Sequence, residues 1–157
     1  MKLLNSVSSV TISYISELEK KLKIKFPNEF KNFIIENNGG IPEQDMLFDF
    51  YDEVSETENT SVIRRFFSIY DDERDENRYD LVKIYKTMII EKAISDRLIP
   101  IADDPAGNPI CLSISEKDFG VVYYLNHEFE DADTGFLIQS KISDNFSQFL
   151  KDLYEDE

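Results

Sequence analysis

The chain has little of what catalytic and disulfide-built proteins depend on. Its 157 residues include one cysteine, one histidine, no tryptophan, five glycines and five prolines. A single cysteine, Cys111, excludes an internal disulfide, and its place in an apolar run predicts a small buried side chain rather than a nucleophile. A single histidine, His127, cannot supply a His-based metal cluster. Gly39-Gly40 follows a helical pattern, the reverse of the strand-to-helix order that a phosphate loop needs. The acidic stretches lack the D-x-D-x-D-G spacing and terminal Glu of a calcium loop. Asp103 and Asp104 are adjacent carboxylates, but the prolines and Gly107 beside them argue for a turn rather than an acid–base pair. No stretch approaches the about 18 apolar residues that cross a membrane, and the N-terminus has no continuous apolar leader. The expectations are therefore no catalytic residue, no metal, no cofactor and a cytoplasmic location.

Basic charge is also scarce. Lys and Arg total 17 against 32 Asp and Glu, a net charge of −15. Such a field repels nucleic acid and anionic membranes and steers a basic protein partner. The charge is unevenly spread. Residues 1–40 hold six lysines and four acids, +2; residues 41–80 carry −9 and residues 81–157 carry −8.

What the sequence does have is core-forming material. Apolar residues make up 41%, with 12 Phe and 8 Tyr, enough for one domain over residues 1–157. Ile12, Ile15, Leu18 and Leu22 keep the spacing of one helical face, with Ser9 or Thr11 as cap. A second helix starts at Pro27, presents Phe30, Phe33 and Ile34, and stops at Asn37-Asn38-Gly39-Gly40, where Gly39 suits a left-handed cap. Residues 46–51 alternate as a strand, 52–60 read as an acidic loop, and 61–70 as another strand. Residues 71–78 read as a charged loop before a helix that runs from Tyr79 to about Ser95-Asp96.

The organising stretch lies between Leu98 and Glu128 and reads as a three-stranded meander. Leu98–Ala102 forms one strand. Ile110, Leu112 and Ile114 alternate with small polar residues, which predicts a half-buried strand, and 121–125 is apolar on both faces. Residues 128–135 read as a third acidic loop and 136–142 as a last strand. Ser143 is the expected cap of a final helix bearing Phe146, Phe149, Leu150 and Leu153, with a frayed acidic end. The fold class is α+β: a central, mostly antiparallel sheet flanked by an N-terminal helix pair, a middle helix and a C-terminal helix.

Two blocks resemble the SUKH superfamily, in the branch similar to the fungal cell-wall synthesis regulator. One is Ile15–Gly40, with Leu18-Glu19, Phe26-Pro27 and Asn38-Gly39-Gly40. The other is the meander, with Ile99-Pro100-Ile101-Ala102-Asp103, Gly107-Asn108, Ile110-Cys111-Leu112, Val122-Tyr123-Tyr124 and His127-Glu128. The final helix also fits, whereas residues 52–78 match no motif of the family. The resemblance implies an α+β fold without catalytic activity. For bacterial members it implies an immunity protein that neutralises a cognate toxin, often a nuclease, by binding it; for eukaryotic relatives it implies a regulatory scaffold in cell-wall synthesis or signalling. A hydrolase using Asp103 or His127 is the remaining alternative. The leading expectation is an immunity protein whose partner is a toxin with a basic surface. Charge, not the resemblance, nominates the partner-binding residues: Glu53, Glu56, Glu58, Asp103, Asp104, Glu130, Asp131 and Asp133, all expected in loops.

Overall fold

The computed structural model describes residues 1–72 and 79–157. Helix α1 (Ile12–Leu22) begins where the Thr11 hydroxyl accepts the Tyr14 N–H at 3.1 Å, so Thr11 rather than Ser9 is the cap. Ile15 and Leu18 are buried, whereas Ile12, expected on the same face, is 63% exposed. Helix α2 (Asn28–Glu36) follows Pro27, which occupies the cap position, and buries Phe30, Phe33 and Ile34.

The helix stop works differently from the simple glycine cap that the sequence suggests. The chain is already extended at Asn37, and Gly39 lies two residues further on with φ +71°. There the backbone is pressed against the segment 66–69. A Cβ on Gly39 would lie 2.0 Å from Ser68 Oγ and 3.0 Å from the Phe66 carbonyl. Asn38 holds the approach together. Its side-chain amide donates to the Ser8 and Ile69 carbonyls at 2.8 and 2.7 Å, and its Oδ1 accepts the Ile69 N–H at 2.8 Å. Gly39→Val should therefore cost roughly 2–4 kcal/mol, from positive φ and overpacking together. Urea titration checks this, and an unchanged midpoint would contradict it.

Strand β1 (Leu3–Leu4), absent from the sequence reading, pairs with β2 (Ile41–Pro42). Strand β3 (Met46–Asp52) turns back into β4 (Thr57–Val62), so the expected acidic loop is a hairpin with the short turn 53–56. Its side chains are polar because β4 is largely exposed. The single strand expected over 61–70 is broken at Ile63-Arg64. Val62 ends β4, and β5 (Arg65–Phe66) belongs to a different sheet.

Helix α3 (Leu81–Ile90) is capped by Asp80, whose carboxylate accepts the Val82 N–H at 3.0 Å, and it ends short of the expected Ser95-Asp96. The charged stretch that precedes it falls mostly outside the described residues. Strands β6 (Leu98–Asp103), β7 (Pro109–Ser113), β8 (Val122–Glu130) and β9 (Leu137–Ser143) complete a five-stranded sheet in the order β5-β6-β7-β8-β9. All its strand pairings are antiparallel. Strand β7 is buried at every position, so the alternation of Ile110, Leu112 and Ile114 marks small residues under a second layer rather than a solvent face.

Helix α4 (Phe146–Asp152) is capped by Asn145, whose Oδ1 accepts the Gln148 N–H at 2.8 Å. Ser143 instead ends β9, and its hydroxyl donates to the Asn145 carbonyl. The acidic tail does not simply fray: β10 (Tyr154–Glu155) pairs with β3. The fold is thus α+β, with four helices among the described residues around antiparallel sheets as expected. A ring cluster joins the layers. Phe146 meets Phe30 edge-on at 5.4 Å and Phe33 at 5.1 Å, and Phe149 lies 6.0 Å from Phe48 of β3. Cys111 is fully buried in this core, and burial raises its thiol pKa far above the ordinary value. It behaves as a small apolar residue.

Candidate partner-binding site

The eight nominated acids divide into two groups that differ in burial. Asp103 and Asp104, expected in an exposed turn, are 7% and 3% exposed. Asp103 ends β6 and forms a two-pronged pair with Arg64, through Nε at 3.0 Å and through NH2. Asp104 organises the β6–β7 turn. Its Oδ1 accepts the N–H groups of Ala106 and Asn108 at 3.0 and 2.9 Å. Its Oδ2 accepts the Tyr124 hydroxyl at 2.8 Å, the Ser61 hydroxyl at 2.9 Å and the Asn108 amide at 3.1 Å. Five donors saturate this carboxylate. Burial and Asp104 together raise the Tyr124 hydroxyl pKa well above its ordinary value, which keeps it protonated and donating.

Asn108 carries the network to His127. Its Oδ1 accepts the His127 N–H at 3.0 Å and lies 2.6 Å from Nδ1, so Nδ1 carries a proton. The ring is exposed, with Nε2 3.8 Å from a Glu128 carboxylate oxygen. The chain of contacts from Ser61 to His127 ties β4, β7 and β8 to one turn. Among the described residues, no three His, Cys, Asp or Glu converge to hold a metal.

The other six acids are exposed, and all belong to two hairpins. Glu53 and Glu56 occupy the β3–β4 turn, with Glu56 at φ +57°, while Glu58 lies on β4 directly opposite Tyr51. Asp131 and Asp133 occupy the β8–β9 turn, and Glu130 ends β8 opposite Leu137. Both hairpins are anchored to β9. The Glu53 N–H donates to Ser140 Oγ at 2.9 Å, three residues along β9 from Leu137.

Each hairpin also carries an aromatic ring that the search for charge overlooked. Tyr51 is 44% exposed and, as the partner of Glu58, shares its face. Phe129, between Glu128 and Glu130, is 46% exposed. The signal was present as a phenylalanine inside an acidic run, where no core demands it.

The second turn is rigidly built. Asp131 Oδ1 accepts the N–H groups of Asp133 and Thr134 at 2.9 and 3.0 Å, which lowers its pKa from 3.8. A carboxyl lowered in the folded chain favours the ordered turn above about pH 3.8 and loses that contribution as pH falls through the lower folded value. An NMR titration should show Asp131 and the amides of Asp133 and Thr134 shifting together below pH 3.8, and a midpoint above that value would contradict the turn geometry.

The domain is thus an acidic α+β fold with exposed carboxylates and an exposed aromatic ring on each of two hairpins. The sequence model of the SMI1 / KNR4 family (SUKH-1) matches residues 9–152, nearly the whole chain. The chain belongs to that family, as the helix-pair and meander motifs lead one to expect. No curated protein sequence matches it. No described helix is long and apolar enough to cross a membrane.

Proposed function

We propose that this chain is an immunity protein of its family: it neutralises a cognate toxin by covering a basic surface and catalyses nothing itself. The observation that carries the reading is six exposed carboxylates, those of Glu53, Glu56, Glu58, Glu130, Asp131 and Asp133, on two hairpins that each also expose an aromatic ring, Tyr51 and Phe129. Aromatic anchors ringed by charge suit a partner that presents Lys and Arg around an apolar spot, such as the active cleft of a nuclease. The carboxylates speed encounter, and the rings supply contact area. Asp103 and Asp104 have no part in the face, because their oxygens are satisfied internally.

The reading has a kinetic signature. With the cognate toxin, once captured with the purified chain, association should slow at least tenfold between about 50 and 500 mM salt, while dissociation changes less. Tyr51→Ala and Phe129→Ala should each accelerate dissociation, at about 1–3 kcal/mol of affinity. Salt-independent association would refute the charge-steered interface. If the captured partner is a cell-wall or signalling enzyme, the chain is the regulatory scaffold instead. Purified chain incubated with nuclease, phosphatase and esterase substrates should release no product above buffer.

A further inference from the structure

The molecule carries a basic groove on an otherwise acidic surface. The groove, about 540 Å3 in volume, runs between the end of α1 and the segments 97 and 114–119. Lys20, Lys23, Lys25 and Arg97 line it, together with Phe119, which is 49% exposed. The 2.9 Å hydrogen bond from the Ile114 N–H to the Arg97 carbonyl fixes Arg97 beside Ile114 on the groove floor. Two acids also line it. Glu19 is engaged, one oxygen with the Phe26 N–H at 2.8 Å and the other with Lys31 at 3.5 Å, which leaves Glu116 as the one lining acid with no described partner.

Stability alone does not account for these cations. Lysines at a helix C-terminus complement the helix dipole, which covers Lys20 and Lys21. It does not cover Lys25 or Arg97, which come from other segments. Lys23, the cap residue itself, also faces that dipole, but it does so at φ +57°, where glycine is the cheaper residue. Lys20, Lys23 and Lys25 form no ion pair with any described residue. Arg97 meets only the adjacent, exposed Asp96, at 3.3 Å.

We infer that this groove binds a short acidic segment of another protein, its carboxylates on Lys20, Lys23, Lys25 and Arg97 and an apolar side chain against Phe119. The occupant follows from charge. A long polyanion such as RNA would extend beyond the groove into the field of a chain with net charge −15, which repels it. A second copy brings another −15. A short acidic stretch meets only the local field, because screening confines each charge to about 8 Å in physiological salt. The groove is independent of the acidic hairpins, so the chain joins two partners of opposite charge.

The test uses the 157-residue chain and a fluorescent, C-terminally amidated five-residue peptide, Asp-Glu-Phe-Asp-Glu, followed by anisotropy. The peptide should bind with a dissociation constant in roughly the micromolar range. Lys23→Gln combined with Lys25→Gln should weaken it at least tenfold, and so should Phe119→Ser; all three side chains are exposed, and unchanged circular dichroism and melting confirm the fold. A labelled oligothymidylate of equal charge should bind at least tenfold more weakly. Absence of peptide binding, equal affinity in the variants, tighter binding of the oligonucleotide, or peptide displaced by self-association in sedimentation would each overturn the inference. Because these substitutions leave both acidic hairpins intact, toxin association measured in the same variants should stay at the parental rate, and its loss would count against the hairpin face instead.

Discussion

Asp104→Ala should lower the unfolding free energy by about 3–5 kcal/mol, as much as removing a large core ring. The carboxylate receives five hydrogen bonds, and the residues Tyr124 and Asn108 that supply three of them are buried. Truncation leaves those donors without an acceptor and away from water, at about 1–3 kcal/mol for each group not satisfied again. It also removes the turn that seats Asn108, so His127 loses its Nδ1 acceptor. Asp103→Ala is the control. It breaks an ion pair, but the Arg64 side chain is 42% exposed and can rehydrate, so about 1 kcal/mol is expected. Chemical denaturation of both variants decides the matter. A loss below about 1 kcal/mol for Asp104→Ala would mean that the network is not holding the turn.

Phe146→Ala should cost a similar amount, about 3–5 kcal/mol. The ring has no solvent exposure and touches Phe30, Phe33 and Phe149, so it joins α2 to α4. No single neighbour can fill the space it leaves. Leu150, on the same helix but only partly buried, should tolerate Ala at a cost of about 1 kcal/mol. Equal losses at the two positions would mean that α4 presents a different face to the core.

These residues also show where the sequence was readable. The faces of α1, α2 and α4 were legible because large apolar residues at helical spacing have no other use in an acidic chain. The meander was legible because prolines, Gly107 and charged turns punctuate it. What failed was the reading of polar residues. Residues 57–60 look like a loop because an exposed edge strand needs no apolar alternation, and its pairing with β3 is decided by backbone hydrogen bonds that any side chain permits. Ser61–Tyr70 looked like one strand because local propensity does not register a change of sheet. Asp103 and Asp104 looked like exposed acids because their partners, Arg64, Ser61 and Tyr124, are distant in sequence. Burial of a carboxylate is a tertiary property, and no local pattern announces it. The six other acids are exposed as expected of surface groups, but Glu58 and Glu130 stand on strands rather than in loops, for the same reason that residues 57–60 looked like a loop.

The account turns on the two acidic hairpins, and one measurement addresses them most directly. Cells expressing the toxin captured with the purified chain are supplied with the parent chain or with one of two triple variants. One carries Glu130→Lys, Asp131→Lys and Asp133→Lys; the other carries Glu53→Lys, Glu56→Lys and Glu58→Lys. The variants are first shown by circular dichroism and melting to be folded at the growth temperature. The parent should protect, and each variant should fail to protect and bind purified toxin at least a hundredfold more weakly, a loss of about 2.7 kcal/mol. Full protection by both folded variants, with parental affinity, would place the interface elsewhere and contradict the account.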